Sequence, residues 1–440
     1  MSRSRHVELK ACFSDPLLDV MTFLNEVVSE YPSAISFAPG RPLDSSFQIE
    51  ESLPAIAAFV TASAARRGVA AGTVWQELAQ YGRTNGIIHE LIATHLATDE
   101  GIVADPASIV VTVGAQEAMA IALAGLFEPR EDVLLVSDPT YIGITGLARI
   151  LGIRVAPVPS GDRGLDAGVV EQAIARASRE GRVRALYDIP DFNNPLGTSL
   201  PFEDRLRLLD VCTRHGVLVI EDNPYGMFAY DNQRLPTLKA LDRDGVVLYI
   251  GSFAKTLFPG LRLGYLVTDQ RTACGEPLAA ALSRVKSLIS VNTSPIVQAI
   301  AGGMLLRSGG SLEPIVAPKR NAYRARRDAM LAALDRHFGG GPVSWSSPQG
   351  GFFLTMTLPF EFGPVELRQC AADYGVIVAP MRFFGLTATR TTQIRLSFSY
   401  VDPERIAVGV QRLARFVHDR LGAAPDASLC AWSNACKLAR

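Results

Sequence analysis

The chemistry in this sequence centres on a lysine three residues after a serine, just past an apolar run. Val246-Val247-Leu248-Tyr249-Ile250 leads into Gly251-Ser252-Phe253-Ala254-Lys255-Thr256-Leu257-Phe258-Pro259-Gly260-Leu261-Arg262. A lysine amine drawn out of water can hold an aldehyde as a Schiff base. Ser252 offers a hydroxyl and Arg262 a planar, permanently charged fork, and both suit an anion held beside that amine. A solitary S-x-x-K also fits an ordinary solvated loop, so the weight falls on what the rest of the chain supplies.

Four more groups stand where apolar runs end. Gly114-Ala115-Gln116 opens a helix whose first amides form an anion seat, or are simply capped. Asp138-Pro139-Thr140-Tyr141 presents an aromatic face, or a packing residue. In Asp191-Phe192-Asn193-Asn194-Pro195-Leu196-Gly197, Asn194 can donate to a ring oxygen, although an Asx-turn before proline accounts for it equally well. Glu221-Asp222-Asn223-Pro224-Tyr225 closes a Val-Leu-Val-Ile run with acid, which is costly to bury without a cationic partner. A protonated pyridine nitrogen is one such partner and a structural ion pair another, and Tyr225 can reach the same ring. Taken jointly, an anion seat, an aromatic face, an amide, a buried acid, a tyrosine and a lysine describe a phosphorylated aromatic aldehyde, pyridoxal 5′-phosphate.

The elements that must position these groups alternate. Beyond Pro106, short β-branched runs are separated by amphipathic helical patterns, which is the signature of a mostly parallel sheet wrapped on both faces. Seven strands are expected: Ser108 to Val113, Val133 to Ser137, Arg154 to Val158, Ala185 to Ile189, Val217 to Glu221, Val246 to Ile250 and Arg262 to Val267. Helices fit between them, notably Gln116 to Phe127, Leu165 to Ser178 and Phe202 to His215, with Gly216 placed to end the last. Ligands of such sheets bind beyond the carboxyl ends of the strands, where the chemical groups collect.

Upstream, Pro16 to Val28, Glu50 to Ala71 and Ile87 to Thr98 have helical spacing, and Tyr81-Gly82-Arg83-Thr84-Asn85-Gly86 is a loop. A basic helix is expected from Lys319 to His337, followed by a smaller α+β unit with a helix around Pro364 to Tyr374, a strand over Gln393 to Ser399 and a last helix from Pro403 to Leu421. The fold class is therefore α/β, a seven-stranded, mostly parallel sheet with helices on both faces plus a smaller α+β domain. The domains read as 1–50, an arm and part of the small domain; 51–307, the large domain; 308–421, the small domain; and 422–440, a tail.

Composition narrows the partners. At 440 residues, 48% hydrophobic and 20% charged with a net charge of -1, the chain has room for two domains and no broad field for nucleic acid or an anionic membrane. Its N-terminal stretch lacks the apolar core of a signal peptide, and no run is long enough to span a bilayer. Six scattered cysteines and six histidines without ligand spacing suit a reducing cytoplasm and no metal site.

With these motifs in order, N-P-x-G at Asn194 to Gly197, D-x-x-Y at Asp222 to Tyr225, S-x-x-K followed by Arg262, and Ile394-Arg395-Leu396-Ser397-Phe398-Ser399, the chain resembles the fold type I pyridoxal-phosphate enzymes. Within them it is similar to class I/II aminotransferases of the 2-aminoadipate and kynurenine type, from about Leu17 to about Leu421. The resemblance implies that Lys255 bears the cofactor and shuttles the proton, and that Asp222 pairs with the pyridine nitrogen. It implies that Asn194 and Tyr225 hold the ring hydroxyl oxygen, with Tyr141 stacked on the ring. Gly114, Ala115, Gln116, Ser252 and Arg262 would hold the phosphate, and Arg395 the substrate α-carboxylate, with Gly40 near it. It further implies a homodimer in which Tyr81 reaches the neighbouring chain's phosphate, acting on an amino acid and a 2-oxo acid.

Four positions depart from the family pattern. Ala254 stands where a second phosphate-binding serine is common, Leu196 where threonine is common, Arg41 where a small or apolar residue is usual, and Arg83 where proline is usual. Arg41 and Arg83 could together recognise a second carboxylate on the substrate. The same cofactor also serves lyases, cyclases and oxidases, and a relative of the fold serves as the effector domain of transcription regulators, a role for which the chain shows no basic recognition helix before the matching region.

Overall fold

The computed structural model describes residues 7–15, 19–231 and 234–422. The expected helix start at Pro16 and the tail beyond Gly422 lie outside the described residues.

The β-branched runs form one sheet in the order Ile109–Thr112, Gly264–Val267, Val247–Ser252, Leu218–Asp222, Arg182–Asp188, Asp132–Asp138, Arg154–Gly161 and Gly164–Leu165. The neighbours from Val247–Ser252 through to Arg154–Gly161 are parallel, whereas Gly264–Val267 runs antiparallel to both of its neighbours. Buried on both faces, the central strands read as near-continuous apolar runs.

The eighth strand was not expected. Leu165 begins no helix, because the Asp166 carboxylate accepts from Val169 N at 3.0 Å and caps a helix that starts at Ala167, leaving Gly164–Leu165 to pair antiparallel with the sheet edge. The last expected strand also starts later, at Gly264 rather than Arg262, because Arg262 takes a left-handed conformation with φ 48°. The run Glu50 to Ala71 is split into helices Ser52–Arg67 and Ala71–Leu78, since Gly68 turns the chain at φ 65°. Gly216 ends Phe202–His215 in the same conformation, as its position implies.

The C-terminal half builds a second sheet, Ser344–Trp345, Phe353–Thr357, Gln393–Ser397 and Ala379–Pro380, with antiparallel neighbours throughout. Ile35–Ser36 pairs in parallel with Val376–Ile377, which ties the N-terminal segment to this half. The basic helix runs from Glu313 to Phe338, six residues earlier than Lys319, with Pro318 inside it. Among the described residues no helix is long and apolar enough to cross a membrane.

Candidate active site

Lys255 lies in a four-residue helical turn, Phe253–Thr256, which leaves the carboxyl end of Val247–Ser252. Ser252 caps that turn, its Oγ accepting from Ala254 N at 3.2 Å. The lysine Nζ donates to the carbonyl oxygen of Gly40 at 2.8 Å, so the N-terminal segment reaches across to hold it. Burial, helped by the charges of Arg262 and Arg395, lowers this amine to about 8.

Asp222 ends the neighbouring strand and is buried. Tyr187 on the next strand pairs with Ile220, which sets Tyr187, Ile220 and Asp222 on one face of the sheet, and its hydroxyl donates to Asp222 Oδ2 at 2.8 Å. Oδ1 is buried without a hydrogen-bond partner among the described residues. Burial pushes the carboxyl up to about 6, with the Tyr187 hydrogen bond opposing. An orphaned carboxylate oxygen facing a cavity calls for a cationic N–H donor. A protonated pyridine nitrogen meets that need, so the residues present fit pyridoxal 5′-phosphate.

Tyr225 packs edge-on against Phe352 and Phe353, with ring centroids 5.3 and 5.6 Å away. Burial pushes its phenol up, while the Arg395 charge and a hydrogen bond from Asn194 oppose. Asn194 Oδ1 in turn accepts from Arg395 Nη1 at 2.6 Å. Arg395 is sandwiched between Phe353 and Phe384, 4.4 and 4.5 Å from the ring centroids, and also donates through Nη2 to the Ala38 carbonyl. Burial lowers this guanidinium to about 10, and its Nε is buried without a hydrogen-bond partner among the described residues.

The opposite wall is built by the helix Gly114–Leu126 and by Tyr141, whose hydroxyl lies 3.3 Å from Gln116 Oε1. A side chain at Gly114 would meet the Arg262 guanidinium, with Nη2 3.1 Å from an added Cβ, so the arginine lies against the open end of this helix. Together these groups enclose a cavity of about 490 Å³ that contains Gly40, Arg41, Ala115, Gln116, Tyr141, Asn194, Asp222, Tyr225, Ser252, Lys255, Arg262 and Arg395. The amides of the first turn of helix Gly114–Leu126, which lack partners within the helix, together with a hydroxyl and a guanidinium, suit a dianion.

Two expected residues lie elsewhere. Tyr81 is 81% exposed, and with Arg83 it lines a separate cavity of about 780 Å³ beside Arg66, Asn85, His89 and Pro295. The chain's own fold therefore does not bring either to Lys255. Arg41 sits at the rim of the Lys255 cavity, 4.7 Å from the Tyr400 ring centroid and 3.9 Å from the Asp44 carboxylate.

Sequence reasoning missed Tyr187, the facing aromatic Phe384, and the wall contributed by Leu24, Asn25 and Val28 of helix Val20–Glu30. The i, i+4 spacing of Leu24 and Val28 marked them as one helix face, but nothing local marked what that face covers.

The family model described as aminotransferase class I and II matches residues 62–413. The chain is 45% identical over 415 residues to an (S)-3,5-dihydroxyphenylglycine transaminase of Amycolatopsis orientalis, covering 94% of each chain. It is 32% identical to a 2-aminoadipate transaminase of Thermus thermophilus, covering 88% of this chain and 91% of that one. Among solved structures, a kynurenine aminotransferase of Pyrococcus horikoshii is similar at a TM-score of 0.79 and 28% identity, covering 92% of this chain and 95% of the other.

Proposed function

Because the chain belongs to the class I and II aminotransferases and moves amino groups with pyridoxal 5′-phosphate, we propose that it takes the α-amino group from an amino acid with a bulky apolar or aromatic side chain. The observation that carries this reading is one cavity holding Lys255, the orphaned Asp222 Oδ1 and Arg395, with Leu24, Val28, Ile142 and Phe384 lining the remaining space.

When bound, the cofactor supplies an electron sink for the carbon that loses its proton. Lys255, with its amine at about 8, holds that proton and returns it, and the Gly40 carbonyl orients Nζ meanwhile. Asp222 Oδ1 would accept from the ring nitrogen, Asn194 and Tyr225 would hold the ring oxygen, and Tyr141 would cover the ring. The amides of Gly114, Ala115 and Gln116, with Ser252 and Arg262, would take the phosphate. Arg395 takes the substrate α-carboxylate as a fork, with Gly40 beside it.

The apolar lining favours this substrate class over a dicarboxylate. Arg83 lies in the other cavity, and Arg41, at the cavity rim, stacks 4.7 Å from the Tyr400 ring centroid with the Asp44 carboxylate 3.9 Å away. The relative from Amycolatopsis orientalis, a dihydroxyphenylglycine transaminase, points the same way.

The enzyme works as a cytoplasmic homodimer in which Tyr81 of each chain completes the neighbour's phosphate seat. The exposure of Tyr81 away from its own Lys255 supports the shared site, and the free thiols of Cys12, Cys212, Cys274 and Cys370 support the compartment. Of the division into 1–50, 51–307, 308–421 and 422–440, the boundary between the second and third units is supported by the short link between helices Pro295–Arg307 and Glu313–Phe338.

A panel of amino acids, each mixed with the cofactor-loaded enzyme without any 2-oxo acid and followed as a half-reaction by loss of the visible band, tests the substrate class. Phenylalanine, tyrosine, arylglycines and leucine should react with a higher second-order rate constant than glutamate or 2-aminoadipate. A preference for the dicarboxylates, lost in Arg41→Ala, would instead return the second-carboxylate role to Arg41.

A further inference from the structure

A single helical turn carries Lys255, and one turn cannot satisfy its own terminal carbonyls. At its end, Lys319 of helix Glu313–Phe338 donates from Nζ to the carbonyls of Thr256 and Leu257 at 2.7 and 2.6 Å. Lys319 is 5% exposed, and its ammonium is held down to about 8 by burial, with no neighbouring charge contributing among the described residues. Burying a lysine with only carbonyl partners is costly, and methionine would fill the space without that cost, so packing alone does not account for it.

One turn along the same helix, the buried Tyr323 hydroxyl accepts from Leu43 N at 3.1 Å. Leu43 lies three residues beyond Gly40, whose carbonyl holds the Lys255 amine. The Tyr323 ring also packs on Phe352 at 4.6 Å between centroids, and Lys255 Nζ lies 5.8 Å from the centre of that Phe352 ring. The turn that bears Lys255 and the segment that orients its amine are thus both fastened to one helix face.

We propose that Lys319 and Tyr323 are positioning residues for Lys255, forming a brace in which Lys319 pins the turn Phe253–Thr256 and Tyr323 pins the segment bearing Gly40. The proposal rests on the reading of Lys255 as the cofactor-bearing residue.

The test compares wild type with Lys319→Met, Lys319→Arg and Tyr323→Phe. Amide hydrogen exchange on cofactor-free protein reads the brace without any reaction. In Lys319→Met, amides of residues 253–258 should exchange about tenfold faster or more, while those of strand Leu218–Asp222 stay protected. In Tyr323→Phe the Leu43 amide should respond in the same direction. In the loaded enzyme, the pH midpoint of the visible band should move by about half a unit or more in Lys319→Met. Its kcat should fall about tenfold with KM within about twofold, and Lys319→Arg should recover part of both.

Unchanged exchange at 253–258 and an unchanged midpoint, accompanied only by a lower Tm, would overturn the brace and leave Lys319 as a packing residue. If Lys319→Met fails to fold, the same two readouts on Lys319→Arg and Tyr323→Phe decide the question. A wild-type protein that shows no visible band with added cofactor would overturn the role of Lys255 itself, and exchange on the cofactor-free protein separates that failure from failure of the brace.

Discussion

Tyr187 and Asp222 stand on adjacent parallel strands with the phenol donating to Asp222 Oδ2 at 2.8 Å, which leaves Oδ1 buried and facing the cavity without a partner among the described residues. The pair fixes which oxygen is offered to a cofactor and lowers the cost of carrying its charge.

A pH dependence of cofactor binding follows from this pair. The cofactor-free carboxyl titrates at about 6, and only its ionised form accepts from a cationic ring nitrogen. Affinity for pyridoxal 5′-phosphate should therefore rise with pH through about 6, a limb separate from the one near 8 where the Lys255 amine loses its proton. Tyr187→Phe removes a hydrogen bond to a charged group, so affinity near neutral pH should drop by about 10- to 100-fold and the rising limb should move to higher pH. Equilibrium titrations of cofactor between pH 5 and 8 read both effects, and an unmoved limb would contradict the role given to Tyr187.

The same carboxyl should trade stability for function. Its pKa is raised on folding from 3.8 to about 6, so between those values the folded chain holds a proton that the unfolded chain has lost. Its contribution is therefore present below 3.8 and lost as pH rises through the window, by up to about 3 kcal/mol. Asp222→Asn should make the cofactor-free protein more stable than wild type at pH 7, with no such difference near pH 3.8, while kcat falls by about 10²- to 10³-fold. Urea denaturation at the two pH values checks the sign.

In the first turn of helix Gly114–Leu126, Glu117 Oε2 accepts from Lys286 Nζ at 2.8 Å and from Val113 N at 2.6 Å. Both side chains are buried. Lys286→Met strands the carboxylate and should cost about 3–5 kcal/mol, whereas Lys286→Met combined with Glu117→Gln should recover more than half of that loss. Denaturant midpoints of the three proteins measure it.

Shared sites can be tested by complementation. Lys255→Ala and Tyr81→Ala should each be weakly active or inactive alone. When the two are unfolded and refolded together, mixed dimers contain one intact site, and activity should return to about a quarter of the wild-type value by random pairing. Mixtures no more active than the sum of their parts would contradict the assignment of Tyr81.

Much of this site was legible in the sequence because its groups interrupt apolar runs. Lys255, Ser252, Asp222 and Asn194 announce themselves as polar residues at strand ends, where a parallel sheet binds its ligands. Tyr187 was not legible, since an aromatic inside a buried run reads as packing until strand pairing shows which face it shares. Leu24, Asn25 and Val28 reach the cavity through tertiary packing far from the motifs in sequence. The early start of helix Glu313–Phe338 was hidden by Pro318, which argued locally against a helix that packing nonetheless sustains. The order of strands in the sheet likewise depends on crossovers that no local pattern encodes.

The most direct measurement is the visible absorbance spectrum of the purified protein, beside Lys255→Ala, before and after an amino acid and then a 2-oxo acid are added. Wild type should show a cofactor band that the amino acid bleaches to a shorter wavelength and the 2-oxo acid restores, while Lys255→Ala lacks the Lys255-linked band and its turnover. A Lys255→Ala protein with an unchanged band and undiminished turnover would show that the amine lies elsewhere and would contradict the whole assignment of the cavity.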